Sequence, residues 1–156
     1  MKIAILGWGS LVWDPRDLPV GGKAQQGGPK LSVEFSRISS DGRLTLVVDE
    51  QNGEENETYF YISSATDLAQ AIADLQKREG LPTSEKVGFI DLVNFTTSPF
   101  AEKSHKASLD KIREWAVAKK FDAVIWTALE SNFHAKFGKQ FSPEAAAAYL
   151  GHLHVC

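Results

Sequence analysis

A short apolar strand that ends in a glycine-rich turn lies at the amino end of this chain. Residues 3–6 read IAIL, and a run of strand formers without alternation is typical of a strand buried on both faces. Gly7 and Gly9 bracket Trp8 directly after this run, so the backbone can turn sharply there and expose N–H groups. Such a turn is suited to binding a carboxylate or an oxyanion. We therefore expect the rest of the chain to cover this turn.

Length and composition predict one globular domain over residues 1–156. The hydrophobic share of 43% and the charged share of 24% are ordinary for a folded domain of this size. The formal net charge of -3 argues against an extended nucleic-acid surface. We therefore expect no nucleic-acid partner, and the oligomeric state stays open.

Cysteine content and hydropathy predict a soluble, cytoplasmic protein. Cys156 is the only cysteine, so no intrachain disulfide is possible and a reducing compartment is expected. The apolar run at the amino end is too short for the core of a signal peptide, and no stretch approaches a transmembrane span. The last helical pattern has no stop signal before Cys156, which leaves open a frayed end or a shortened chain.

Alternation and turn residues predict three strands after a long loop. Residues 14–29 are rich in proline and glycine and predict an irregular loop, which is usually functional or mobile. Residues 30–39 alternate with a slip near the end that indicates a bulge, and Asp41-Gly42 predicts a hairpin into residues 44–48. A second turn leads to a strand over 57–62. Short turns between neighbours favour an antiparallel meander.

The clearest helix follows these strands. Ser64 or Thr66 is placed to cap it, and Gly80 is placed as its C-cap glycine. Its apolar residues share one face: Leu68, Ala71, Ile72 and Leu75. Further strands are predicted at 87–95 and 122–129, and further helices from Ser108 and from Ser142-Pro143. The order of elements predicts an α+β domain.

Three common kinds of site fit the sequence poorly. A dinucleotide-binding turn needs a third glycine where Val12 stands and a helix that Asp14-Pro15 would break. Ser10 does not stand in the G-x-S-x-G elbow of a serine hydrolase, and no helix is expected after it. The histidines show no metal-ligand spacing, and His152 and His154 are interpreted as an exposed pair.

Glu79 is the candidate acid–base group. It closes the helix before Gly80, where an ordinary solvated glutamate is the simpler interpretation. The negative end of a helix dipole nevertheless favours the protonated form of a carboxyl group, which suits proton transfer near neutral pH. Glu85 is a competing carboxylate in a turn-like stretch beside Lys86.

Together, the turn and this helix end resemble one known family. Residues 7–13 read GWGSLVW, similar to the G-Y-G-S-L-x-W loop of the gamma-glutamylcyclotransferase-like superfamily, especially its glutathione-degrading branch. Residues 78–80 resemble the segment that carries the catalytic glutamate there. The order of loop, hairpin strands, helix and glutamate agrees, and the resemblance covers about the first half of the chain.

The resemblance implies a mixed, partly closed, β-barrel-like sheet surrounded by helices. It implies an enzyme that cyclises a small gamma-glutamyl compound to 5-oxoproline and releases the amine, without metal or cofactor. Glu79 would be catalytic. The implied substrate-binding residues form the turn: Gly7, Trp8, Gly9, Ser10 and Leu11.

One departure from the family motif keeps a second interpretation open. The tyrosine of the family motif is Trp8 here, which keeps an N–H donor but has no hydroxyl. A different gamma-glutamyl substrate, or a non-catalytic module that binds a small molecule or a partner on the same fold, is therefore the alternative.

Overall fold

Eight strands and six helices are present in the computed structural model of this chain, which describes residues 1–155, with side chains through Gly151. The strands are β1 (Ile3–Gly7), β2 (Lys30–Ile38), β3 (Leu44–Val48), β4 (Glu54–Glu57), β5 (Tyr59–Ile62), β6 (Val87–Asp91), β7 (Thr96–Thr97) and β8 (Ala123–Thr127). The helices are α1 (Ser10–Trp13), α2 (Leu68–Glu79), α3 (Pro99–Ser104), α4 (Lys106–Ala118), α5 (Phe133–Phe137) and α6 (Pro143–Val155).

The central sheet has the strand order β5-β1-β8-β6-β7. Its middle strands β1 and β8 run parallel, with Ile3 opposite Ala123 and Ile5 opposite Ile125. All five residues of β1 are buried, which confirms the doubly buried strand that the apolar run predicted. Because β1 and β8 are parallel neighbours, their carboxyl ends lie side by side at one edge of the sheet.

The second sheet has the order β3-β2-β4. The predicted hairpin between β2 and β3 is confirmed, and so is the bulge, since the register shifts between Glu34 and Arg37. The predicted meander is wrong. The acidic stretch 54–57 pairs with β2 on its free side, with Lys30 opposite Glu57, and the strand that follows leaves this sheet.

Thr58 is the point where the chain changes sheets. Its hydroxyl donates to the carbonyl of Pro29 at 2.6 Å, and its own carbonyl accepts from Gly28 at 2.9 Å. Beyond it, β5 pairs with β1, and Phe60 and Tyr61 are buried on opposite faces of the sheet. Burial of two aromatic side chains outweighs continued hairpin pairing. Within residues 1–155 both sheets are open, so the fold is α+β but not one partly closed sheet.

Two cores lie on opposite faces of the central sheet. On one face, Ile5 and Ile125 pack with Ala71 and Leu75 of α2. The other face carries Leu6 and Trp126, together with the second sheet and α4. The alternation along β1 and β8 therefore assigns α2 to one side and the second sheet to the other.

The helix ends show where capping was predicted well and where it was not. Gly80 ends α2 with φ 66°, the left-handed conformation expected of a C-cap glycine. The N-cap is Asp67 rather than Ser64 or Thr66, because the Asp67 carboxylate accepts from the Gln70 N–H at 2.8 Å. Ser108 lies inside α4 rather than capping it, since its hydroxyl and N–H both donate to Glu50.

The carboxyl-terminal helix begins as predicted. Pro143 is its first residue, and the Ser142 hydroxyl accepts from the Ala145 N–H at 2.9 Å. Its Tyr149 packs with Phe133 and Ile38 in a third core. The predicted exposed pair His152 and His154, and also Cys156, lie outside the residues whose side chains the structure describes. Within residues 1–155, none of the helices has the length and apolar character needed to cross a bilayer.

Candidate functional site

The glycine-rich turn continues into one turn of helix. Gly9 has φ 64° and ψ -142°, a conformation that favours glycine, and α1 begins at the next residue. The Asp14 N–H closes it by donating to the Ser10 carbonyl at 2.8 Å. A helix after Ser10 was not expected from the sequence, although Asp14-Pro15 limits it to four residues as the proline predicts. The Val12 N–H donates to the Gly9 carbonyl at 3.1 Å, so the Ser10 and Leu11 N–H groups are the ones that precede the bonds of this helix.

Glu79 lies at the same edge of the central sheet as this turn. Its side chain is 20% exposed, and its Oε1 accepts from the Thr127 hydroxyl at 3.0 Å. Thr127 is the last residue of β8, and Gly7 is the last residue of the neighbouring parallel strand β1. The carboxylate is therefore held at the end of the strand beside the one that leads into the turn.

Arg78 joins the end of α2 to the segment after α1. One guanidinium nitrogen lies 3.3 Å from Glu79 Oε2, and the other donates to the Asp14 carbonyl at 2.6 Å. Its side chain is only 5% exposed, and its Nε is buried without a hydrogen-bond partner among the residues that the structure describes. A buried guanidinium with two charge-assisted contacts fixes the carboxylate relative to the loop.

Tyr61 supplies a hydroxyl to this region from β5. Its hydroxyl lies 2.9 Å from the Leu11 carbonyl and 2.7 Å from the Val12 carbonyl, to which it donates. Burial raises the pKa of this phenol, opposed by the positive charge of Arg78. Tyr61 and Thr127 were both missed from the sequence. The apolar pattern of 59–62 marked a strand, but only its pairing with β1 places the hydroxyl under α1.

A cleft of about 410 Å³ opens on the other side of the turn. Trp8, Gly9, Val12 and Trp13 form one wall, and residues of β2, β3 and the 54–59 segment form the other. Leu11 instead points into the core beside α2, while Ser10 is exposed. The structure thus brings Trp8 and Gly9 into the cleft, whereas Glu79 is not among its lining residues.

A second cavity, of about 540 Å³, lies beside α3. The competing carboxylate Glu85 lines it, together with Lys103 and Glu130. The Lys86 ammonium lies 3.6 Å from the centre of the Phe100 ring, which also lines this cavity. None of the predicted turn residues contributes to it.

The remaining candidates lie away from the turn. His105 is buried between α3 and α4, and burial lowers its pKa against the opposing charges of Glu50, Glu130 and Asp49. His134 is exposed. Within the described part of the chain, no group of three or more His, Cys, Asp or Glu is placed to hold a metal ion.

Comparisons of the chain with family models, with curated proteins and with solved structures found no match. The basis for a functional assignment is therefore the geometry of the turn and of the end of α2, together with the motif that they carry. Both lie at the carboxyl edge of the two central parallel strands, where ligand sites of α/β sheets commonly form.

Proposed function

We propose that this protein is a gamma-glutamylcyclotransferase-like enzyme that converts a small gamma-glutamyl compound into 5-oxoproline and a free amine. Glutathione, a gamma-glutamyl amino acid and a gamma-glutamyl amine are the candidate substrates. The supporting observation is the position of Glu79, whose carboxylate is bonded to Thr127 beside the strand that ends in the GWGSL turn. The net charge of -3 and the single cysteine support a cytoplasmic protein without a nucleic-acid partner.

The proposed reaction is an intramolecular transfer of the glutamyl group. The α-amino nitrogen of the substrate attacks the γ-carbonyl carbon, a lactam C–N bond forms, and the bond to the leaving nitrogen breaks. An α-ammonium group cannot attack, so Glu79 first accepts one proton from it and passes this proton to the departing nitrogen. Glu79 then carries the second proton, which the attacking nitrogen loses on lactam formation, to the same departing amine. The substrate ammonium and amide carry four N–H protons, the same number as the lactam and the released ammonium, so no water is consumed.

The turn is assigned to the glutamyl carboxylate or to the developing oxyanion. The Ser10 and Leu11 N–H groups are the candidate donors, because the Val12 N–H already donates to the Gly9 carbonyl at 3.1 Å, and a helix start favours negative charge. Because nucleophile and electrophile belong to one molecule, folding the glutamyl chain into a reactive geometry supplies much of the acceleration. Arg78 acts as a positioning residue, since it contacts both Glu79 and the Asp14 carbonyl.

The fold supports this proposal only at a coarse level. We propose that the two open sheets, which the chain joins at Thr58, together correspond to the partly closed sheet of that superfamily. This correspondence is supported by the mixed sheet of the chain and by the helix that ends in Glu79 beside it.

A non-catalytic binding module is the second candidate. The observation that favours it is the separation of Glu79 from the cleft beside the turn, combined with Trp8 at the position of the family's tyrosine. In that case the cleft would bind a small molecule or a partner, and Glu79 would only stabilise the end of α2 through Thr127.

One assay separates the two candidates. The purified protein is incubated with glutathione, with gamma-glutamyl amino acids and with gamma-glutamyl amines, and 5-oxoproline is quantified by mass spectrometry. We expect catalytic release of 5-oxoproline from at least one compound. Release no faster than in a protein-free control, for every compound, would refute the enzymatic proposal and favour the binding module.

A further inference from the structure

The cleft beside the turn has a distinct chemical character. Four aromatic residues line it: Trp8, Trp13, Phe35 and Tyr59. Two of these side chains are unusually accessible, Trp13 at 74% and Phe35 at 50% exposure. A volume of about 410 Å³ falls within the range of about 300–1,000 Å³ that is usual for small-molecule sites.

Every charged residue that lines this cleft is acidic. These residues are Glu34, Glu54 and Glu57, and no Lys, Arg or His is among the lining residues described. One oxygen of Glu57 accepts from the Gly27 N–H at 2.8 Å, and one oxygen of Glu34 accepts from the Phe35 N–H at 2.9 Å. Glu54 has no bonded side-chain partner among residues 1–151, and it is exposed.

Two basic residues lie near β4 without lining the cleft: Lys30, which is opposite Glu57 in the strand register, and Lys111. Glu55, the neighbour of Glu54 on β4, is paired with Lys111 at 2.8 Å and does not line the cleft. The acidic residues of the edge strand β4 also discourage strand pairing between two molecules, but that role does not require aromatic residues in the same cleft. Aromatic faces and carboxylates together favour one kind of occupant, an organic cation.

We infer that this cleft binds an alkylammonium group, and that the protein prefers gamma-glutamyl conjugates whose amine portion carries a second, positively charged nitrogen. The first half of this statement concerns the cleft alone. The second half rests on the proposed function. A glutamyl unit at the turn would direct its amine portion along Gly9 and Trp8 into the cleft, because both residues line it.

Two matched pairs of compounds test the two halves separately. The first pair is N-acetyl-1,4-diaminobutane and N-acetyl-n-pentylamine, which have similar size and differ in one positive charge. The second pair carries a gamma-glutamyl group in place of the acetyl group. Binding of the first pair is measured by calorimetry and by tryptophan fluorescence, and 5-oxoproline release is measured for the second pair.

We expect the cationic member of the acetyl pair to bind about tenfold more tightly than the neutral one, through cation–π and carboxylate contacts. This preference should shrink as the salt concentration rises, because the carboxylates lie near the surface. The cationic gamma-glutamyl compound should likewise have the higher kcat/KM, again by about tenfold. Equal binding of the two acetyl compounds, or no binding of either, would overturn the inference.

The outcomes distinguish this inference from the proposed function. Charge-selective binding of the acetyl pair without any 5-oxoproline would refute the enzyme and leave a cation-binding module. Release of 5-oxoproline at equal rates from both glutamyl compounds, with no discrimination between the acetyl compounds, would support the enzyme and refute the cationic cleft.

Charge variants on β4 test whether the preference for the cationic compound arises in the cleft. Glu54→Gln removes a carboxylate that lines the cleft and should reduce the preference for the cation at least threefold. Glu55→Gln makes the same change in net charge one residue away, outside the cleft, and should leave the preference unchanged. Equal losses in both variants would mean that overall charge, not the cleft, attracts the cation.

An aromatic variant gives a second, independent test. Trp13→Leu keeps an apolar side chain but removes the π face, and 74% exposure makes this change mild for the fold. We expect weaker binding of the cationic acetyl compound and unchanged binding of the neutral one. Circular dichroism of each variant checks that the fold is retained.

Discussion

The two sides of the GWGSL turn differ in how fully their polar groups are paired. On the side of α2, the Glu79 carboxylate contacts Thr127 and Arg78, with little exposed surface. Tyr61 separately donates to the carbonyls of Leu11 and Val12. The opposite side is an open cleft of about 410 Å³ with exposed aromatic side chains and a Glu54 carboxylate that has no partner among residues 1–151. One short segment of backbone separates a side with paired, mostly buried polar groups from an open cleft with aromatic and acidic walls.

This contrast suggests a division of roles. In the proposed reaction, the group that transfers protons must be held in a fixed position, and the bonds from Thr127 and Arg78 would do this for Glu79. A subsite for a variable amine needs only accessible apolar surface and charge of the right sign, which the cleft has. Substitutions on the α2 side should therefore change chemistry and stability, and substitutions in the cleft should change ligand preference.

The largest expected effect is on turnover. Glu79→Gln keeps the shape of the side chain but removes the base, so we expect kcat for 5-oxoproline release to fall about 100- to 10,000-fold. Glu85→Gln is the control, because that carboxylate is exposed in the other cavity and its variant should retain activity. A Glu79→Gln protein as active as the parent would remove this residue from the mechanism.

A smaller effect is expected when the link between α2 and the turn is removed. Arg78→Met keeps the apolar stem but loses the contacts to Glu79 and to the Asp14 carbonyl, and should lower the free energy of unfolding by about 2 kcal/mol. Urea denaturation measures this as a lower midpoint at constant slope.

Arg113→Met is the matched control for this change. Its ion pair with Asp110 is largely exposed, so the free energy of unfolding should change by less than about 0.5 kcal/mol. Equal costs for the two arginine variants would mean that the Arg78 contacts carry no special stabilising role.

The Tyr61 hydroxyl should matter for both stability and activity. Tyr61→Phe removes the donor to the Leu11 and Val12 carbonyls and should cost about 1 kcal/mol of unfolding free energy. It should also lower kcat, since the turn is less firmly placed. Tyr149→Phe loses a hydrogen bond to the Gly42 carbonyl in the third core, so it should be destabilised without a change in kcat.

The smallest expected effect is a pH dependence of stability that does not involve the turn. Burial lowers the pKa of His105 below its usual value of 6.5, so the folded protein favours the neutral ring. Below pH 6.5 the unfolded chain binds the proton more readily than the folded one. The free energy of unfolding therefore decreases as the pH is lowered, by at most about 1.4 kcal/mol for each pH unit.

The pH dependence assigned to His105 is tested by comparing the parent protein with the His105→Gln variant. The free energy of unfolding from urea curves between pH 7.5 and 5 should depend less on pH in the variant. The pH profile of 5-oxoproline release should be the same in both proteins, because His105 contacts none of the turn residues. A shifted activity profile would connect this histidine to the site.

Several features were predicted correctly from local sequence patterns. The buried strand at residues 3–6, the bulged hairpin after it, and the helix that ends at Gly80 all follow from neighbouring residues alone. The position of Glu79 at a helix end was equally readable, because a glycine C-cap and a following proline mark where that helix stops.

The wrong predictions concern strand pairing and helix capping. The third predicted strand was assigned to a meander, but β4 pairs with β2 and β5 crosses to β1, a choice decided by the burial of Phe60 and Tyr61. The cap at Asp67 displaced Ser64 and Thr66 because only one side chain in that stretch meets the Gln70 N–H. Each of these outcomes depends on contacts between residues distant in sequence or on a single backbone geometry.

By itself, the sequence determined an α+β composition, a glycine turn after a buried strand and a glutamate at the end of a helix. Tertiary structure alone decided that β1 and β8 lie parallel, which brings the turn and Glu79 to one edge. It also decided that the cleft opens on the opposite face from α2. The physical reason is that hydrophobic periodicity specifies which face of an element is buried, whereas strand pairing and long-range packing specify what that face meets.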